Sequence, residues 1–343
     1  MRTSRHFLLL ASASWVVACA GNVEEGESAP VTRAHGLKNG ATQVPVGSSL
    51  AKSTVLVLRS PPAPFSCTGV IVGSKWVLTA AHCVLPSRIA DHHVYFYAGP
   101  YPTSEAANVV SAEVPAGVTP GIEDLSLVVD SNGKFADVAI LELETPIPSY
   151  TKVAQLPLTY PGNNVTGWMT GVGAHDGDLA GYDFDMRQLS RTTYSSDTND
   201  GHFLVNDNHL LTEGPDTDQG DSGGGFFVYD SVTARYVVLG VASASVDEWF
   251  TWKTKYTSIS YRLNWVLDGI QYMGGMSREV NRKLTGTTYS TFWLAGAQSR
   301  RCALYCESAP SCRGFSHNGT MCSLYSSVSG STTVLGTISG SKH

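Results

Sequence analysis

An all-β fold is predicted by three observations. Residues 37 to about 260 run in short stretches rich in Val, Ile, Leu and Tyr. Gly, Pro, Asn and Asp interrupt those stretches at short intervals, and glycine is abundant, at 34 of 343 residues. Helical periodicity does not alternate with the stretches, so a barrel or sandwich is expected rather than a chain of βαβ units.

The expected strands, in order, include "STVLVL", "TGVIVG", "WVLTAA", "HVYFYAG", "DVAILELE", "VTGWMTGVG", "FFVYD" and "YVVLGVASAS". The period then changes. In "YRLNWVLDGI", Leu263, Val266, Leu267 and Ile270 fall at i, i+3, i+4 and i+7, one face of a helix. "MGGMS" at 273–277 ends it, because Gly274 and Gly275 are poor helix formers. Past residue 277 four cysteines fall within 21 residues, in "CALYCESAPSCRGFSHNGTMC". So short a segment has little core of its own and is usually stapled, which places a boundary near 274–280.

Hydrophobic residues make up 42% of the chain and charged ones 15%, the balance of a folding sequence. The net charge is −6 with no long basic run, which argues against a nucleic-acid partner. Arg2 and Arg5 precede the apolar "FLLLASASWVVACA", a pattern that predicts an export signal over 1–19. "VVAC" reads as a bacterial lipobox with Cys19 as the lipidated first mature residue; "ACA" before Gly21 also fits an ordinary cleavage site. The acidic stretch that follows makes 20–36 a tether or pro-segment. Seven cysteines leave six once Cys19 is set aside, and an exported chain is expected to pair them: Cys67, Cys83, Cys302, Cys306, Cys312 and Cys322.

The stretch "DTDQGDSGGGF", 216–226, suits a tight exposed loop and not a strand, since seven of its eleven residues are Gly or Asp. It holds one serine, Ser222, which as a nucleophile requires a neighbouring base. "GDSGG" matches the G-x-S-x-G turn of α/β-hydrolases, but that arrangement needs the histidine downstream, and no histidine occurs between Ser222 and Ser316. The base is therefore sought among His82, His92, His93, His175, His202 and His209. His82 follows an apolar strand in "WVLTAAHCV", and Cys83 beside it can pair with Cys67. That crosslink closes a loop worth about 3 kcal/mol and holds the histidine in place. "Asp91-His92-His93" lacks accompanying ligands for a metal, and neighbouring strand residues face opposite ways, so a solvated pair is the reading preferred. Asp137 opens the apolar "DVAILEL"; a carboxylate there needs a partner, and orienting His82 supplies one.

"LTAAHC", "DVAILEL" and "GDSGGG", in that order, resemble the chymotrypsin/trypsin-like serine protease family. The resemblance implies two six-stranded antiparallel β-barrels over 37–273, with the active site between them. It makes His82 the general base, Asp137 its orienter and Ser222 the nucleophile, with the N–H groups of Gly220 and Ser222 as oxyanion hole. It also implies the Cys67–Cys83 disulfide, a bond from Ser243 to Asp137, and a mature N-terminus at Leu37 whose amine pairs with Asp221. Several positions depart from the family. Leu37-Lys38 replaces Ile-Val, cleavage between Gly36 and Leu37 does not follow a basic residue, Asp218 stands where a cysteine is frequent, and Gly225 where a proline is. Asp216 takes the position that binds Arg or Lys before the cut in trypsin-like members, while Ser245 and Thr254 replace glycines and narrow that pocket.

"FWLAGAQSRRCALYCESAPSCRGFSHNGTMCSLYS" resembles a PAN/apple domain, assigned to 280–343. The resemblance implies a small α+β module, pairs Cys302 with Cys322 and Cys306 with Cys312, and suggests a protein or carbohydrate ligand. Zinc at these cysteines is disfavoured because an exported chain oxidises them. Two functions are therefore weighed. One is an exported serine endopeptidase, a zymogen acting on proteins or peptides; the other is a binding protein with an idle protease domain. All triad members and Gly220 are present, which favours the enzyme. No cofactor and no metal is called for.

Overall fold

The computed structural model describes residues 37–342, except 39, 46, 61–64, 98–104, 123–127, 174–185, 198, 211–214 and 249–250. The leader, Cys19, the pro-segment to residue 36 and His175 lie outside the described residues.

The apolar runs become strands because their branched side chains pack on a pleated, half-buried surface. Six of them close a barrel: β2 (Thr54–Arg59), β3 (Phe65–Gly73), β4 (Trp76–Thr79), β5 (His92–Phe96), β6 (Ala106–Glu113) and β7 (Ala139–Leu143). Their order is β2-β3-β4-β7-β6-β5, and β5 pairs back with β2, Val57 opposite Val94. Before them come β1 (Thr42–Gln43) and a short helix α1 (Ser49–Ser53), whose cap Ser48 accepts from the Ala51 N–H.

The second barrel comprises β8 (Thr166–Gly171), β9 (Arg187–Asp197), β10 (His202–Leu210), β11 (Gly225–Asp230), β12 (Arg235–Glu248) and β13 (Thr251–Ser258). They run β9-β10-β13-β12-β11-β8, and a β8–β9 pairing closes the ring; β1 adds to the outside of β9. Both barrels are antiparallel. Phe203, Phe226 and Tyr256 fill the second, with ring centroids 5.3–5.8 Å apart. The helical stretch forms α2 (Leu263–Gly269), and Leu263, Val266 and Leu267 are its buried face.

The C-terminal module is an α+β unit. The strands β14 (Glu279–Trp293), β16 (Met321–Ser341) and β15 (Gly314–His317) form a sheet in that order, with helix α3 (Ser299–Glu307) against it. Cys302–Cys322 ties α3 to β16, and Cys306–Cys312 closes the turn after α3. The module does not hang free. Leu294, Leu304 and Phe315 belong to the same continuous apolar core as the first barrel and α2. Arg235 pairs with Glu307, Gln155 Nε2 donates to Ser308 Oγ at 2.8 Å, and Arg300 meets Asp268 at 2.7 Å. Among the described residues, no helix is long and apolar enough to cross a membrane.

Candidate active site

β4 delivers the chain to a 3-10 turn, Ala81–Cys83, with Ala80 and Ala81 buried. Small residues let the turn sit flush against the barrel end and leave His82 half-buried above it. The Cys67–Cys83 disulfide pins this turn to β3. Asp137 stands two residues ahead of β7 and is fully buried. One of its oxygens, Oδ1, accepts the His82 backbone N–H at 3.0 Å. The other, Oδ2, lies 2.7 Å from His82 Nδ1 and accepts the Ser243 hydroxyl at 2.5 Å. Burial pushes the Asp137 pKa up, but the charge of His82 and the bonds from His82 and Ser243 outweigh it and hold the carboxyl below its ordinary value. With Nδ1–H donated to the carboxylate, the lone pair of His82 is on Nε2, the tautomer of a base.

Ser222 lies in the loop between β10 and β11, and that loop is sewn to both barrels. From the first barrel, Thr68 N donates to the Ser222 carbonyl at 2.8 Å and Thr68 Oγ1 to the Gly220 carbonyl at 2.8 Å. From the second, Ala242 accepts from Gly223 N and donates to Gly224 O, each at 2.8 Å. Gly223 has φ +86°, and a Cβ there would lie 2.0 Å from the Thr68 carbonyl oxygen, so only glycine fits. Gly220 has φ +90°, a conformation that favours glycine. Among the described residues, neither the Gly220 nor the Ser222 N–H is taken by a protein acceptor. No hydrogen bond joins Ser222 Oγ to His82 there either; such bonds often tighten only with substrate in place.

Leu37 is 1% exposed, inserted beside Met169, Leu189 and Phe203. Its backbone N–H points at the carboxylate of Asp221, which also accepts from Gly173 N at 3.0 Å and Asp218 N at 2.9 Å. Burial pushes Asp221 up to about 7. Beside it Lys38 Nζ meets Asp218 Oδ2 at 2.8 Å.

The position assigned in sequence to a cationic substrate side chain is that of Asp216. Asp216 is fully buried and its carboxylate is already engaged: Arg191 Nε reaches Oδ2 at 2.6 Å and Nη2 reaches Oδ1 at 3.1 Å. Asp207 is its neighbour, accepting from Asp216 N at 3.1 Å and from Thr254 Oγ1 at 3.0 Å. Burial, then the charge of Asp216, pushes Asp207 up to about 6. Thr217 Oγ1 lies 2.6 Å from Ser245 Oγ and 3.5 Å from Thr254 Oγ1. The sequence reading singled out neither Arg191 nor Asp207. Each stands in phase with inward residues of its strand, Arg191 between Leu189 and Thr193, Asp207 two beyond Val205. A charge on the inward phase of a strand was the available signal.

Among the described residues, His92, His93 and His202 have partners outside this cluster. His92 is buried, with Nδ1 3.0 Å from the Arg88 carbonyl, and burial lowers its pKa. His93 faces the other way, toward Asn108 Oδ1 at 3.1 Å, and His202 pairs with Asp200 at 3.0 Å. His209 stands on β10. Cys67, Cys83 and His82 bring potential metal ligands together, but the two sulfurs are bonded to each other and are not thiolates.

The Trypsin family model matches residues 40–266, and the PAN domain model matches 277–341. The chain is similar to human kallikrein-8, 30% identical over 172 residues, covering 46% of this chain and 60% of that protein. It is similar to brachyurin of Leptuca pugilator, 26% identical over 208 residues, 59% of this chain and 86% of that one. It is also similar to ovochymase of Halocynthia roretzi, 25% identical over 216 residues, of which it spans only 13%. Two antiparallel barrels, a loop bridging them and a family match over more than half the sequence agree, and the chain belongs to the trypsin family, carrying a PAN domain after its protease fold.

Proposed function

We propose that the protein is an exported serine endopeptidase that works through Ser222, His82 and Asp137. The observation that carries this reading is the buried carboxylate of Asp137, which holds His82 by both its backbone N–H and its ring Nδ1. Substrate bound against β12 presents its carbonyl to Ser222. His82 Nε2 takes the Ser222 proton as Oγ attacks, and Asp137 stabilises the resulting imidazolium. The tetrahedral oxyanion is met by the N–H groups of Gly220 and Ser222, a contribution of about 3 kcal/mol per donor in such sites. His82 returns the proton to the leaving amine, and the acyl-enzyme remains on Ser222. Water, deprotonated by the same histidine, then attacks the acyl carbon, and His82 passes that proton to Ser222 Oγ as the acyl bond breaks and the acid leaves.

Activation is assigned to a cut between Gly36 and Leu37. The new amine takes the place of the Leu37 amide beside Asp221 and fixes the loop that carries Ser222. The three disulfides fit an oxidising, extracytoplasmic compartment. Export through the leader, with or without a lipid on Cys19, completes that picture. The expectation of Arg or Lys before the cut rests on Asp216, whose carboxylate Arg191 holds; the endopeptidase reading does not depend on it. The PAN domain is assigned a protein or carbohydrate ligand that brings the protease to its target. Glycan and protein arrays probed with full-length Ser222→Ala protein test that role, and no retained ligand would remove it.

The test of the activity is proteolysis of an unfolded protein substrate by the processed wild type and by Ser222→Ala. Ser222→Ala is expected to lose at least about 10⁴-fold in kcat. Equal rates for the two proteins would overturn the reading.

A further inference from the structure

Resting on that endopeptidase reading, we propose that Arg191 serves as a built-in occupant of the carboxylate beneath the substrate side-chain pocket, so that the enzyme cuts after small uncharged residues and rejects Arg and Lys.

The pocket is located by its neighbours. Ser243 on β12 bonds the Asp137 that orients His82. Ser245, two residues on, pairs in register with Thr254 of β13. Thr217, five residues before Ser222, bonds Ser245. Two strands and the nucleophile's loop thus converge where the side chain preceding the cut must go. Three hydroxyls span the gap between them: Ser245 to Thr217 at 2.6 Å, and Thr217 to Thr254 at 3.5 Å.

Beneath the hydroxyls lies Asp216, with 0% of its surface exposed. Arg191 meets both of its oxygens from the β9 side, a two-pronged pairing that fits guanidinium to carboxylate. The side chain of Arg191 is itself only 12% exposed. An entering lysine or arginine faces two obstacles. It must part hydroxyls that are bonded to one another, and it then meets a carboxylate whose charge is already matched. Breaking such a pair leaves a buried charge unmatched, and adding a second cation sets two like charges in a space with little water. Glutamate or aspartate fares no better, since Asp207 and Asp216 both lie below. Alanine, serine or valine needs neither rearrangement and leaves every bond in place.

The experiment uses processed enzyme, first labelled with a fluorophosphonate to count active sites. It then compares peptides identical except before the cut: Ala, Ser, Val, Leu, Phe, Glu, Lys and Arg. The small residues are expected to exceed Lys and Arg by at least about 100-fold in kcat/KM. Arg191→Met, which frees Asp216, is expected to raise the Lys-to-Ala ratio of kcat/KM by at least about 10-fold. Should that variant fail to fold, the Ser245→Gly/Thr254→Gly protein gives the second reading. It is expected to gain cleavage after Leu and Phe while Lys and Arg stay poor, because Arg191 remains. Labelled wild type that prefers Lys or Arg overturns the inference alone. So does a foldable Arg191→Met protein with an unchanged ratio, or a Gly/Gly variant that gains Lys and Arg first. Neither label nor cleavage of any peptide overturns the endopeptidase reading, and the inference with it.

Discussion

Asp137 has no contact with solvent, yet it stays ionised because three donors and the histidine charge converge on it. Its replacement therefore tests orientation rather than stability. Asp137→Asn is expected to lower kcat by about 10⁴-fold, as the same change does in trypsin-type enzymes, by favouring the wrong imidazole tautomer. Ser243→Ala removes one charge-assisted bond and is expected to cost about 10-fold. Turnover of an ester substrate beside a circular-dichroism melt checks both; an Asp137→Asn protein that is folded and fully active would contradict the assignment. Asp221 makes a second prediction, on pH. Its folded value of about 7 lies above the ordinary carboxylate value. The stabilising contribution of its protonated form is complete below about pH 4 and is lost as pH rises through 7. In the uncleaved chain the penalty for ionising it has no cation to offset it. In a chain cut as proposed, the Leu37 ammonium takes the place of that N–H and draws the value down. The Tm of uncleaved Ser222→Ala protein is thus expected to fall more steeply from pH 5 to 8 than that of the cleaved form, and parallel curves would contradict the pairing. At this scale the sequence was legible where short motifs named residues that meet, as "LTAAHC" and "DVAILEL" do in the His82–Asp137 contact. It was not legible at Arg191, because a lone arginine in a β-strand acquires meaning only once the strand's inward face is known. The pairing of Asp216 was hidden for the same reason: its place in the loop is written in sequence, while its partner is 25 residues away.

The elements place these residues by two kinds of staple. One is covalent. Cys67–Cys83 joins β3 to the turn of His82, and its loop is worth about 3 kcal/mol. The Cys67→Ser/Cys83→Ser protein is expected to lose about that much stability in urea unfolding, and to lose activity beyond its unfolded fraction, since the turn is held at one end only. Unchanged stability would show that the barrel alone fixes the turn. The other staple is the loop of Ser222, whose backbone groups bond Thr68 of one barrel and Ala242 of the other. Ser222 is thereby fixed relative to both walls of the cleft. The most apolar strands were readable from their runs and turn residues, and α2 from its periodic side chains, whereas the more polar β6, β9, β10 and β13 were not singled out. What the runs did not contain is closure. The β2–β5 and β8–β11 pairings, needed to close the two rings, join segments far apart in sequence, and local patterning carries no record of them.

On the scale of the molecule, the PAN domain shares one apolar core with the first barrel and α2. Composition marked it as a separate stapled module, and its disulfides are indeed internal. Its packing on the protease was invisible in sequence, since Glu307, Ser308 and Arg300 look like ordinary surface residues until Arg235, Gln155 and Asp268 are found opposite. Truncation after residue 276 is therefore expected to lower the Tm of the protease and not merely to release a passenger. The decisive measurement, however, concerns the cleft. Purified wild type and Ser222→Ala protein are treated with a fluorophosphonate, digested and mapped by mass spectrometry, with the N-terminus of each sample sequenced. The proposed function predicts one adduct, on Ser222, in chains that begin at Leu37, and none in the variant. An adduct elsewhere, or none in correctly cleaved and folded chains, would contradict the assembled triad.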